Sequence, residues 1–139
     1  MDTRQPSIDN PYWNLIGLRE VELKDGTSVI ELPIKREITQ RRGTVHGGVL
    51  ASLVDSSIGA AIRSVLPPGM SIITAELKLN YIRPGVGTKF IGRGSVIHMG
   101  RTLAVGEAKI WNQDGKLIAA GMATFKLLVE DKDFSRERG

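Results

Sequence analysis

Asp55 is the one acid in the apolar stretch from Val49 to Val65, and His46-Gly47-Gly48 stands directly ahead of that stretch. A carboxylate in such surroundings must be partnered, locally solvated or put to use. Glycines at a helix start bring bare backbone amides close to a ligand oxygen, where they stabilise negative charge. Together these residue types suggest an oxyanion site plus a carboxylate acting on water or directly on a carbonyl. Each also has a plainer reading. Asp55 can serve a local hydrogen-bond network or face solvent, and Gly47 and Gly48 can be turn residues. His46 can fix its loop by hydrogen bonding rather than move protons.

The element that carries these groups reads as a helix from about Gly47 to Val65, too rich in small and apolar residues for a surface helix and therefore central and buried. Gly48, Ser52, Asp55, Ser56, Gly59 and Arg63 form a narrower small-or-polar stripe at helical spacing, fit to face a sheet, a partner or a ligand. Pro67-Pro68-Gly69 ends the helix. Upstream, alternation over 16–23 and from Ser28 to Ile34 flanks Lys24-Asp25-Gly26-Thr27, which predicts a β-hairpin. The basic segment Lys35 to Val45, with Gln40, Arg41 and Arg42, reads as a loop leading to the helix.

Downstream, everything reads as strand: 71–83, 88–99, 102–111 and 116–129, separated by Pro84-Gly85-Val86-Gly87, Gly100-Arg101 and Asn112-Gln113-Asp114-Gly115. Tight connections predict that the late strands are largely antiparallel neighbours. The expected class is α+β, one long helix against a mainly antiparallel sheet of about five to six strands. The expected organisation is an N-terminal segment 1–14, a single domain 15–129 and a charged tail 130–139.

With 139 residues and no cysteine, the chain is long enough for one core without disulfides, and thiol chemistry is excluded. A polar start and no long uninterrupted apolar run predict neither export nor membrane insertion, with the cytosol as default compartment. The net charge of +4 is spread among acids, and only seven aromatic residues are available to stack bases, which argues against nucleic-acid binding.

The run Gly43-Thr44-Val45-His46-Gly47-Gly48-Val49-Leu50-Ala51-Ser52-Leu53-Val54-Asp55 resembles the hotdog-fold thioesterases, in particular the PaaI-like group of phenylacetate degradation. The resemblance continues through Thr74-Ala75-Glu76-Leu77-Lys78-Leu79-Asn80-Tyr81-Ile82-Arg83-Pro84-Gly85, Gly100-Arg101-Thr102-Leu103-Ala104 and Gly115-Lys116-Leu117-Ile118-Ala119-Ala120-Gly121. It implies a hotdog fold and hydrolysis of acyl-coenzyme A thioesters, without cofactor or metal, at sites between two subunits, often in tetramers of two dimers. Position by position, it implies Asp55 as the catalytic carboxylate and Gly47 as the amide that polarises the thioester carbonyl. Gln40 falls at a second carbonyl-binding amide, where some relatives have Asn, and Thr74 at a hydroxyl that holds water, where some have Ser. An aryl-CoA such as phenylacetyl- or hydroxybenzoyl-CoA is the implied substrate, with medium- or long-chain acyl-CoA as the competitor. A non-catalytic acyl-CoA or aromatic-ligand binding module, and a hydratase on the same fold, are the other readings.

Guanidinium groups bind phosphate in bidentate fashion, so Arg83 and Arg101, with Gly100 and Thr102 beside the latter, are the expected coenzyme A contacts; Arg41 and Arg42 are further candidates, and solvated surface is the plain alternative for each. Spacing adds one independent expectation. Eight residues of helix separate Gly47 from Asp55 by about 12 Å, more than a carboxylate can reach. If both act on one thioester, the glycine end of one helix must meet the aspartate of another, which predicts a homodimer.

Overall fold

The structure, a computed structural model, describes residues 10–129, so the expected tail 130–139 lies outside the described residues. The first element departs from the expected alternation. Helix α1 (Pro11–Ile16) starts at Asn10, whose side chain accepts the Trp13 amide at 3.1 Å, and stops at Gly17 in left-handed backbone at φ 93°. Ile16, expected to open a strand, is instead the last helical residue and a core side chain. The Asn cap, the proline at the first helical position and the terminal glycine outweigh a short alternation.

Strands β1 (Arg19–Lys24) and β2 (Thr27–Pro33) form the expected hairpin. Asp25 and Gly26 both take positive φ, 48° and 86°, as a two-residue primed turn requires. The loop that follows is compact, with single 3-10 turns at Arg36–Ile38 and Arg41–Gly43 and an isolated bridge between Thr39 and Val45.

Helix α2 (Gly47–Arg63) is the central helix, ending two residues short of the expected Val65. Ser64 takes over there: its hydroxyl donates to Ala61 O at 2.6 Å and accepts the Gly26 amide at 2.7 Å, tying the helix end to the first hairpin. Leu53, Val54, Ile58 and Ile62 are fully enclosed, as are Ile30, Leu32, Phe90 and Ile110 of the sheet. Glycines let the helix settle onto the sheet. A Cβ on Gly94 would lie 2.2 Å from the Ser57 carbonyl oxygen, so no side chain fits there.

The sheet is completed by β3 (Met70–Tyr81), β4 (Lys89–Met99), β5 (Leu103–Asn112) and β6 (Leu117–Val129), in spatial order β1-β2-β4-β5-β6-β3, and every pairing is antiparallel. Expected neighbours β4, β5 and β6 are adjacent, but β3 is not beside β4. It pairs with β6, while β4 pairs with β2. The Pro-Gly segment between β3 and β4 is a crossing rather than a hairpin: Gly85 O accepts the Val45 amide at 2.8 Å and Val86 O accepts Asn112 Nδ2 at 3.2 Å. This leaves β3 as a sheet edge, with residues 73–76 exposed. Among the described residues, no helix is long and apolar enough to cross a membrane.

Candidate active site

Asp55 projects from the middle of α2 towards β3, where its Oδ1 accepts a hydrogen bond from the Thr74 hydroxyl at 2.8 Å. Thr74 lies at a shift in the β3–β6 register, between Thr74 and Glu76, a place where an extra residue re-aims neighbouring side chains. The half-buried Asp55 carboxyl is raised above its ordinary 3.8 by desolvation, partly offset by the Thr74 hydrogen bond. Such a carboxylate is a stronger base than one in water, and the Thr74 oxygen keeps lone pairs with which to hold a water molecule beside it.

The glycine end of α2 is a separate structure. His46 caps the helix, its Nδ1 accepting the Gly48 amide at 2.8 Å. His46 therefore fixes the loop. The Gly47 amide occupies the first helical position, where helix geometry provides no partner, and it meets no acceptor among the described residues. It can serve an incoming oxygen.

A cleft of about 560 Å³ lies against this end, lined by Gln40, Gly47, Gly48, Leu50, Tyr81 and Arg83 among others. Gln40 is exposed, and among the described residues its side chain makes only a long 3.4 Å contact, from Nε2 to the Thr44 hydroxyl, leaving its amide available. Arg83 donates to Leu117 O at 3.1 Å and is otherwise exposed. Tyr81, which spacing did not single out, donates its hydroxyl to Gly47 O at 2.8 Å. In the sequence it passes as an ordinary aromatic strand former; its place at the very end of β3, where the phenol can reach a polar partner, is the one signal.

The structure thus brings Asp55 together with Thr74, and Gly47, Gly48, Gln40, His46 and Arg83 into a second group. Gly100, Arg101 and Thr102 form the β4–β5 turn and belong to neither group within this chain. Register places that turn near the Asp55–Thr74 half, since Leu103 pairs with Lys126 and Lys126 with Ile73. Arg83 follows Tyr81 at the other end of β3, about 25 Å away at ~3.3 Å per strand residue.

The small-and-polar stripe divides likewise. Ser52 donates to Gly48 O at 2.9 Å and lies 2.7 Å from the Tyr12 hydroxyl, while Gly59 packs on Phe125. Arg63 pairs with Glu20 at 3.2 Å and lies 5.6 Å from the Trp13 ring centroid. Ser52 and Arg63 of the stripe therefore hold α1. Among the described residues no group of three histidine or acid side chains is arranged to hold a metal ion.

Comparison with known proteins agrees with this architecture. The family profile described as thioesterase superfamily matches residues 42–119. A putative esterase of Saccharolobus solfataricus is 33% identical over 116 residues, covering 84% of this chain and 82% of that protein. A 1,4-dihydroxy-2-naphthoyl-CoA hydrolase of Listeria monocytogenes is 28% identical over 119 residues, covering 84% and 95%. A Bacillus halodurans protein whose crystal structure contains CoA superposes with a TM-score of 0.82 at 31% identity, covering 88% of this chain and 81% of that one. The residues 42–119 hold Gly47, Asp55 and Thr74 on the helix and edge strand described above, and the chain belongs to the thioesterase superfamily, as a hotdog-fold hydrolase of thioesters.

Proposed function

We propose that this protein hydrolyses acyl-CoA thioesters at sites that each need two copies of the chain, Asp55 and Thr74 from one and Gly47 with Gln40 from the other. The observation that carries this reading is the division of the candidate groups. Asp55 bonded to Thr74 stands on the edge-strand side of α2, while the partnerless Gly47 amide opens into a cleft about 12 Å away along the helix. Neither half is a complete thioesterase site, and together they are.

Strand β3 offers the means of joining them. It is a 12-residue sheet edge with exposed Ile73 and Tyr81, a ready template for pairing with a second copy. An antiparallel two-fold pairing along β3 brings the Thr74 end of one chain beside the Tyr81 end of its partner. The same inversion places Gly100, Arg101 and Thr102 of one chain near Arg83 of the other, the two groups expected to meet the phosphates of coenzyme A.

In the reaction, the thioester carbonyl oxygen lies against the Gly47 amide and the Gln40 side chain. A water held by the Thr74 oxygen gives its proton to Asp55 as its oxygen attacks the carbonyl carbon. The oxyanion is stabilised by donors worth a few kcal/mol each, and collapse expels the coenzyme A thiolate, which recovers a proton. Direct attack by Asp55, giving an anhydride, uses the same geometry; single-turnover hydrolysis in oxygen-18 water separates the routes by the label left on Asp55. An aryl-CoA is the favoured substrate, supported by the resemblance to the PaaI-like group and by the naphthoyl-CoA hydrolase among the relatives.

Steady-state hydrolysis of a panel of aromatic and aliphatic acyl-CoAs, with thiol release as readout and Asp55→Asn as control, tests the activity; binding without turnover refutes it. Co-expression of inactive Asp55→Asn with inactive Gly47→Val tests the sharing. Mixed dimers regain one intact site, so about a quarter of the activity returns if sites are shared and pairing is random, and none if each chain holds its own. Sedimentation distinguishes a dimer from a tetramer of two such dimers.

A further inference from the structure

The geometry points to Tyr81 as a positioning residue that aims the Gly47 amide, an inference resting on the reading of that amide as the donor to the thioester carbonyl. The peptide between Gly47 and Gly48 is held from both sides. Its oxygen accepts the Tyr81 hydroxyl at 2.8 Å, and its N–H donates to His46 Nδ1 at 2.8 Å. The preceding peptide, which carries the Gly47 N–H, is held through its carbonyl, since His46 O accepts the Val49 amide at 2.9 Å and the Leu50 amide at 3.3 Å.

Between these two peptides lies only Gly47, the residue type with the freest backbone torsions. A side chain here would stiffen them, but it would crowd the Tyr81 phenol. A Cβ on Gly47 would stand 3.2 Å from the Tyr81 hydroxyl oxygen and 3.3 Å from its ring carbon Cζ. The phenol fills the place of a side chain and supplies the order that glycine lacks. The bonds also run in one direction, from the Tyr81 O–H to the Gly47 carbonyl and from the Gly48 N–H to His46, so each polarises the next.

A hydroxyl donating to a backbone carbonyl does not itself touch the reacting atoms. It keeps the neighbouring N–H pointed at the place where negative charge develops, and such preorganisation acts on the transition state rather than on substrate binding. Removing an oxyanion donor outright costs about 100- to 1000-fold in kcat. Loosening one costs less, so Tyr81→Phe is expected to lower kcat about 10-fold with KM changed less than about twofold.

The test is the kcat and KM of Tyr81→Phe across pH on a good acyl-CoA substrate, beside Asp55→Asn and His46→Ala. The expected result is a lowered kcat, an unchanged pH profile, and a double variant Tyr81→Phe with His46→Ala no worse than the poorer single one, because both secure one peptide. An unaltered kcat overturns the inference, as does loss of a basic limb of the profile, which would make the phenol a proton donor. Should Tyr81→Phe fail to fold, fluorotyrosines at position 81 provide the same test: kcat must follow the donor strength of the phenol while KM does not, and indifference to it overturns the inference. If Asp55→Asn keeps full activity, it is the underlying catalytic reading that fails. If Asp55→Asn is inactive and Tyr81→Phe has normal kcat, only the positioning role fails.

Discussion

Replacing Thr74 by Val keeps the shape of the side chain and removes the hydroxyl that donates to Asp55 Oδ1 at 2.8 Å. Two opposing influences act on that carboxyl: burial raises it, and the Thr74 bond lowers it. Losing the bond leaves burial unopposed, so Asp55 holds its proton to higher pH and the acid limb of kcat/KM moves upward. Hydrogen bonds to charged groups contribute about 1.5–3 kcal/mol, which corresponds to about 10- to 100-fold in the ionised fraction. Thr74 is exposed, so water replaces part of what is lost and the lower figure applies. On the acid side of the optimum kcat/KM should fall about 10-fold relative to its own plateau, and Thr74→Ser, which keeps the donor, should restore most of it. The assay is kcat/KM by thiol release across the acid limb for the wild type and both variants. A Thr74→Val profile that superimposes on the wild type after scaling would refute the reasoning, because the acid limb would then belong to a group other than the Asp55–Thr74 pair.

Three further expectations concern stability. Because Asp55 is raised above 3.8 in the fold, its ionised form costs folding free energy at pH above its folded value, and this cost vanishes below 3.8; Asp55→Asn should therefore raise Tm at about pH 8 and lose that gain in acid. Gly94→Ala places a Cβ 2.2 Å from the Ser57 carbonyl oxygen, forcing α2 off the sheet at a cost of about 3 kcal/mol or more, readable as a lowered urea midpoint. Arg63→Ala loses the contact 5.6 Å from the Trp13 ring centroid and the 3.2 Å pair with Glu20, both partly exposed, so urea unfolding should register about 1 kcal/mol or less.

Much of the fold was legible in local pattern. Apolar density between Val49 and Ile62, stopped by Pro67-Pro68, marked a buried helix, and Asp25-Gly26 marked a hairpin. Asn112 made the β5–β6 turn readable too, its Oδ1 accepting the Asp114 and Lys116 amides at 3.0 Å each. Helix α1 was legible in principle through its cap, proline and glycine, but a short alternation across Ile16 suggested a strand. Asp55 and Gly47 stood out by residue type and spacing as well as by family resemblance, whereas Thr74, an ordinary strand former by type, was marked by the resemblance alone.

By itself the sequence determined the elements, because helix period, strand alternation and turn chemistry are written in neighbouring residues. It also determined that Gly47 and Asp55 stand apart, since helix rise is invariant. Only the tertiary structure decided which strands are neighbours. Pairing is a non-local choice, and it carried β3 past β4 to the far edge beside β6. That choice set Thr74 against Asp55, 19 positions away, and Tyr81 against Gly47, 34 positions away, contacts to which no local periodicity points.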